Sequence, residues 1–216
     1  MSSVARKKVV LRREEILEAT VEQIKQRGIA TTRVADVAGA LKVSSGLVHY
    51  HFATKELLVE EAFAYAARRE MEALRTTVAR SGSVVARMKA LIRLYAPTGQ
   101  APGWRLWIDG WSAGMRDKGL HDVMREMDEE WKSRITALVQ EGMDNGEFRC
   151  ADARVVAWRI TVFLDGLAVQ LVARRGALEK AEAAQWVREH VAGQLGIDPA
   201  VLGPRRTAGQ PAADIS

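Results

Sequence analysis

Thr32, Arg33, Lys42, Ser44, Ser45, Gly46, Leu47, His49, Tyr50, His51 and Lys55 crowd hydroxyls, cations and imidazoles into one short stretch of the chain. These are the groups that bond to phosphate oxygens and base edges of a duplex, and Gly46 leaves room for a strand to approach the backbone. A metal site is not expected there. His49 and His51 stand two residues apart, so they leave different faces of a helix, and no third ligand accompanies them. The single cysteine, Cys150, allows no intramolecular disulfide and no cysteine-based zinc site. It lies beside a turn without a neighbouring histidine, which reads as a structural or surface thiol rather than a nucleophile. With no glycine-rich phosphate loop and no zinc spacing, neither catalysis nor a cofactor is expected.

A second group of residues lies further along. Trp104, Trp107 and Trp111 repeat at helical spacing, Trp131 and Trp158 follow, and Asp109 and Asp165 lie near them in sequence. An aromatic stripe of this kind fills a helical interior; with a carboxylate beside it, it could also hold a cationic or apolar small molecule. Asp165 precedes Gly166, so a close helix contact is an equal reading for it.

The elements that must position these residues are helical. Leu17, Val21 and Ile24 share a face of a first helix that Gly28 closes, and Val34, Val37, Ala38 and Leu41 give a short second one. Ser44 or Ser45 caps a third helix reaching His51, and Thr54 caps a fourth of about 25 residues, roughly 40 Å long. Further helices are expected near 83–96, 104–116, 120–142, 152–175 and 179–195. The fold class is therefore all-α with about nine helices. Two short helices joined around Lys42 must cross steeply, as in a helix-turn-helix. The expected division is a DNA-binding head over 1–53, a ligand-binding and dimerisation body over 54–196, and a mobile tail over 197–216.

Charge agrees with this division. The first 52 residues carry nine bases and five acids, about +4 of the net +5. Arg6, Lys7, Lys8, Arg12 and Arg13 read equally as an arm gripping DNA or as a solvated end. No apolar run follows the N-terminal bases, so no signal peptide is expected. The most apolar stretch, 155–173, contains Arg159, Asp165 and Gln170, so no membrane span is expected and a cytoplasmic setting fits.

The run from Thr32 to Ala38, then Val43 to Phe52, then Lys55-Glu56-Leu57-Leu58 resembles the N-terminal signature of the tetracycline-repressor (TetR) family. The resemblance implies a dimeric repressor that binds a near-palindromic operator and is released by a small-molecule effector. It places Thr32, Arg33 and Lys55 against phosphates; Ser44, Ser45, Leu47 and His49 along base edges; and Tyr50 and His51 on phosphate or sugar. Two positions depart from the pattern: Lys42 stands where glycine is frequent, and His49 where tyrosine is. More loosely, Gly142 to Phe148, Asp152 and Leu164-Asp165-Gly166-Leu167 resemble the choline/betaine-responsive branch. Leu167, Leu171, Val172, Trp186, Val187 and His190, on the last two long helices, are the expected dimer contacts.

Overall fold

The structure, a computed structural model, describes residues 3–97, 103–174 and 178–203, with side chains from Arg13 onward. The bases Arg6, Lys7, Lys8 and Arg12 and the tail from 204 onward fall outside the described side chains. Nine α-helices follow one another among the described residues: α1 Ser3–Arg27, α2 Val34–Leu41, α3 Ser45–His51, α4 Lys55–Val78, α5 Val84–Tyr95, α6 Trp104–Gly114, α7 Lys118–Asp144, α8 Ala153–Ala173 and α9 Lys180–Leu195. This is the all-α architecture that the apolar periodicity implies. The chain forms two compact units, one of Met1–Ala73 with Gly103–Glu130, the other of Leu74–Pro102 with Trp131–Ser216.

In the first unit, Ile16, Leu17, Val37, Val48, Phe52 and Phe63 are among the residues that close one hydrophobic core. On α1, Leu17, Val21 and Ile24 stand four and three positions apart with Ile16 beside them, so the helix presents one apolar stripe to that core. Gly28 ends α1 at φ +87°, a left-handed geometry that costs other residues about 1–2 kcal/mol. The turn that follows is fastened from α6: Asp109 Oδ2 accepts the Ile29 N–H at 2.5 Å. A carboxylate on a backbone N–H is a charge-assisted bond, among the stronger kinds a surface loop can make.

In the second unit, the motif 142–148 has a packing explanation. A Cβ at Gly142 would run into the Phe148 ring, so only glycine lets that ring lie against α7. Glu147 reaches the start of α5, accepting from Val84 N–H at 3.1 Å and Val85 N–H at 3.2 Å. There it bonds two donors that the helix itself cannot satisfy, at the end where an anion is favoured. On α8, Asp152 caps through the Val155 N–H at 3.0 Å.

Among the described residues α8 is the one helix long and apolar enough, by length and composition, to cross a membrane. One face of it is buried, through Val156, Ala157, Ile160, Leu164, Leu167 and Ala168. Another is apolar and exposed, through Val155, Trp158 and Val162. The tail expected to be mobile from 197 begins otherwise. Pro199–Leu202 forms a 3-10 turn and buries Leu202, because Asp198 caps it through the Ala200 N–H at 2.8 Å.

Candidate functional site

The local chemistry of α2 and α3 sets the reading segment. α2 starts at Arg33, whose backbone N–H donates to Asp36 Oδ2 at 2.9 Å. The reciprocal half of a capping box is missing, since a guanidinium has no acceptor to offer. α2 ends on Lys42 at φ 55°, ψ 43°, the only non-glycine residue with positive φ among those described. Lys42 N–H donates to Gly39 O at 3.1 Å and Val43 N–H to Ala38 O at 3.0 Å, the two bonds of a Schellman ending. The lysine that departs from the family pattern thus keeps the glycine's backbone geometry. Lys42→Gly is expected to raise the unfolding free energy by about 1 kcal/mol, read from the denaturant midpoint. The same change removes an exposed cation, so any DNA affinity should fall and its salt slope flatten.

Ser44 then caps α3, its Oγ accepting the Leu47 N–H at 3.2 Å. Val48 and Phe52 are buried, which turns the opposite face of this short helix outward. Tyr50 is 77% exposed, and its ring meets His51 edge-on at 5.3 Å between centroids. His49, Gly46, Lys42 and Arg33 are exposed as well; Ser45, Leu47, His51 and Lys55 are half-buried. Beneath them Arg13 lies 4.9 Å over the Phe52 ring and is paired with Glu61. Thr54 caps α4 through the Leu57 N–H at 3.1 Å.

Three of the expected contact residues have structural employment. Thr32 is 2% exposed and its hydroxyl donates to Gly28 O at 2.7 Å, so it fastens the turn after α1 and does not present itself to a phosphate. Ser44 uses its oxygen as the α3 cap. Lys55 Nζ donates to Ala30 O at 3.2 Å, which aligns its ammonium with the same loop and leaves further donors on it.

The aromatic residues of the body are divided between the two units. Trp104, Trp107, Asp109 and Trp111 belong to the first unit, Trp131, Trp158 and Asp165 to the second. Trp104 and Trp107 are each 4% exposed, with Trp104 meeting Trp111 edge-on at 6.2 Å. Asp109 corrects the sequence expectation: it is committed to the Ile29 N–H and holds the turn between α1 and α2. Trp158 is a second correction. It is 46% exposed on α8 with Lys132 Nζ 3.5 Å from its ring centroid, a surface cation–π pair rather than a pocket wall.

Trp131 and Asp165 are brought together, and the residue joining them is one the sequence reading missed. The Tyr95 hydroxyl donates to Asp165 Oδ1 at 2.6 Å while its ring lies 4.1 Å from that of Trp131. The Trp131 Nε1–H is buried without a hydrogen-bond partner among the described residues. A buried donor left unmade costs about 1–3 kcal/mol, which an acceptor from water or from a ligand would recover. Glu70 was also missed. Burial pushes its carboxyl from the ordinary 4.5 up to about 7, opposed by the hydrogen bond from Trp107 and the charge of Lys25. The signal was present in the register of α4, where Phe63, Ala67, Glu70 and Leu74 recur at core spacing.

On the last two helices, Leu167 is 6% and Val187 1% exposed, so both are core of their own protomer and cannot serve as contacts to another. Leu171 and Val172 are half-buried. His190 stacks on Phe163 at 4.0 Å, and burial pulls its pKa below the ordinary value. Trp186 is 44% exposed. The exposed apolar set is Val155, Trp158 and Val162 on α8 with Trp186 on α9.

Known proteins share this arrangement. Residues 16–62 match the model of bacterial regulatory proteins of the tetR family, and residues 84–196 match that of the C-terminal region of BetI-type transcriptional repressors. The HTH-type transcriptional regulator BetI of Burkholderia mallei is 28% identical over 160 residues, 73% of this chain and 80% of its own. That of Burkholderia cenocepacia is 24% identical over 184 residues, 84% and 92% of the two chains. Among solved structures, a protein from Saccharomonospora viridis crystallised in complex with choline aligns at a TM-score of 0.78 and 23% identity, over 84% of this chain and 96% of its own. A regulator from Haloarcula marismortui aligns at 0.74 and 23% identity, over 85% and 97%.

Proposed function

The chain belongs to the TetR family of bacterial transcriptional regulators, and from that premise we propose that it is a dimeric repressor whose operator is read by the outer face of α3. The single observation that carries this reading is Tyr50, 77% exposed on a helix otherwise pinned by the buried Val48 and Phe52. An aromatic phenol held out to solvent at that position gains nothing for the fold; against a sugar–phosphate strand it gains a hydrogen bond and contact area. His49 and Gly46 share its exposure. Arg33, Lys42 and Lys55 supply phosphate contacts around them. Two heads would occupy successive major grooves, about 34–36 Å apart, on a near-palindromic site.

Dimerisation is assigned to the exposed apolar set of α8 and α9, Val155, Trp158, Val162 and Trp186, in place of Leu167 and Val187. Effector binding is assigned to the helical body beyond the head, with Tyr95, Trp131 and Asp165 as ligand contacts. The choline complex of the Saccharomonospora viridis protein supports a small-molecule site in this fold. The protein acts as a regulator rather than a catalyst, and works in the cytoplasm.

Footprinting on the chromosomal region flanking the protein's own gene tests this reading. A protected near-palindrome at moderate salt is expected. His49→Ala should weaken it by about 1–3 kcal/mol, roughly fivefold to 150-fold, with the fold and the nonspecific affinity kept, whereas Tyr50→Ala, which loses a backbone contact, should weaken operator and random DNA alike. Equal loss on operator and random DNA from His49→Ala would mark a nonspecific DNA-coating protein instead. Absence of any protected site would sink the repressor reading.

A further inference from the structure

Between α9 and the 3-10 turn Pro199–Leu202 lies a cleft of about 310 Å³, at the lower end of the size of small-molecule sites. Arg188 is the one cation among its lining residues. Its Nη2 is buried without a hydrogen-bond partner, and the guanidinium forms no ion pair among the described residues. A planar fork of five donors set below the surface with no acceptor is costly to fold. The turn runs close along the arginine stem: a Cβ at Gly203 would lie 3.6 Å from Arg188 Cδ. Two carboxylates share the cleft, and neither is paired with Arg188. Asp198 Oδ1 accepts the Ala200 N–H at 2.8 Å as the cap of the turn, and Glu189 Oε1 accepts from Gln185 Nε2 at 2.8 Å. Pro199 and Ala200 add an apolar wall. Arg188 follows Trp186 by two residues, about 200° around the helix, so the cleft opens away from the exposed apolar face of α9.

We propose that this cleft binds a free α-amino acid with a small apolar side chain. The ligand's carboxylate takes the Arg188 guanidinium, its ammonium lies towards Asp198 and Glu189, and its side chain rests on Pro199 and Ala200. The class follows from the charges present. A simple anion would satisfy Arg188 but meet two carboxylates of its own sign. A simple cation would suit the carboxylates and leave the guanidinium unpaired. A zwitterion answers both, and the arginine fork matches a carboxylate with two parallel hydrogen bonds. The cleft shares no residue with the operator-reading face, the effector contacts or the dimer face assigned above, so it stands or falls independently of them.

The test is calorimetric titration of the full chain with L-alanine and L-valine, and with two analogues of alanine that each lack one charge. L-Lactate replaces the ammonium by a hydroxyl, and L-alaninamide replaces the carboxylate by an amide. The amino acids should bind, and each analogue should bind about tenfold or more weakly than alanine. Arg188→Gln should keep the melting temperature, since the guanidinium holds nothing in the fold, and should abolish the preference for alanine over alaninamide. Ala200→Trp, at an exposed position of the turn, fills the cleft and should abolish binding by a second route. The analogue series on the wild type depends on neither variant. Alaninamide or lactate matching alanine, undiminished alanine affinity in Arg188→Gln, or no binding of either amino acid at millimolar concentration would each overturn the proposal; the last would mark a cleft that holds water only.

Discussion

Glu70→Gln is expected to stabilise the protein by about 2 kcal/mol at pH 8 and to leave its stability unchanged below about pH 4.5. Burial raises the Glu70 carboxyl to about 7 from the ordinary 4.5. The folded state therefore holds a proton that the unfolded chain releases more readily. Between those two values folding takes up protons, so stability is greatest in acid, declines as pH rises through the window, and is flat above it. The interval corresponds to about 3 kcal/mol of lost stability at alkaline pH. Glutamine carries no charge, keeps an oxygen to accept from Trp107, and adds an amide N–H₂ that must find its own acceptor, at a cost of about 1 kcal/mol. For a chain of this size the net gain should raise the melting temperature by about 4–8 °C at pH 8. Denaturant titrations of both proteins from acid to alkaline pH read it directly. Curves that stay parallel across the whole range would show that Glu70 does not titrate in the folded state.

This carboxylate also illustrates what the sequence discloses and what it withholds. The head is legible because its logic is local: Ser44 and Thr54 cap helices through the N–H three residues downstream, and Val34, Val37, Ala38 and Leu41 fall on one face of α2 by spacing alone. Lys42 could be flagged as a departure, and the structure shows the αL geometry that makes it one. Thr32 was misplaced since its hydroxyl has two nearby claimants, a phosphate outside and the Gly28 carbonyl inside, and nothing in residue type chooses between them. Asp109 was misplaced for a longer-range reason: its partner, the Ile29 N–H, is 80 residues away in sequence. Tyr95 continues the Val84, Met88, Leu91 stripe of α5, but only the fold carries its hydroxyl to Asp165. Burial of the tryptophans is just as illegible: Trp107 and Trp131 are buried while Trp158 is not, though Trp158 stands on the most apolar of the three helices and Trp131 among charged residues.

The failure at Trp158, Leu167 and Val187 has one cause, and it leads to the second large effect. α8 is apolar on two faces, so composition cannot tell the face packed in its own protomer from the face left open. The structure separates them: Leu164, Leu167 and Ala168 lie inside, while Val155, Trp158 and Val162 form an i, i+3, i+7 stripe outside, with Trp186 on α9 exposed as well. Exposed apolar stripes on consecutive helices are what a four-helix interface between two copies requires. Val162 is 58% exposed in the protomer, so an aspartate there should cost little in folding. In a dimer the same aspartate would be desolvated against its own copy, two like charges across a two-fold axis, at several kcal/mol. Val162→Asp is therefore expected to sediment as a monomer at micromolar concentration with its helical content intact. Operator affinity should fall by about a hundredfold or more, because the second head no longer binds at the effective concentration the first provides. A variant that remains dimeric and keeps its operator would move the interface off this face of α8. A variant that becomes monomeric yet still binds the full operator with undiminished affinity would show that the two half-sites are not read together.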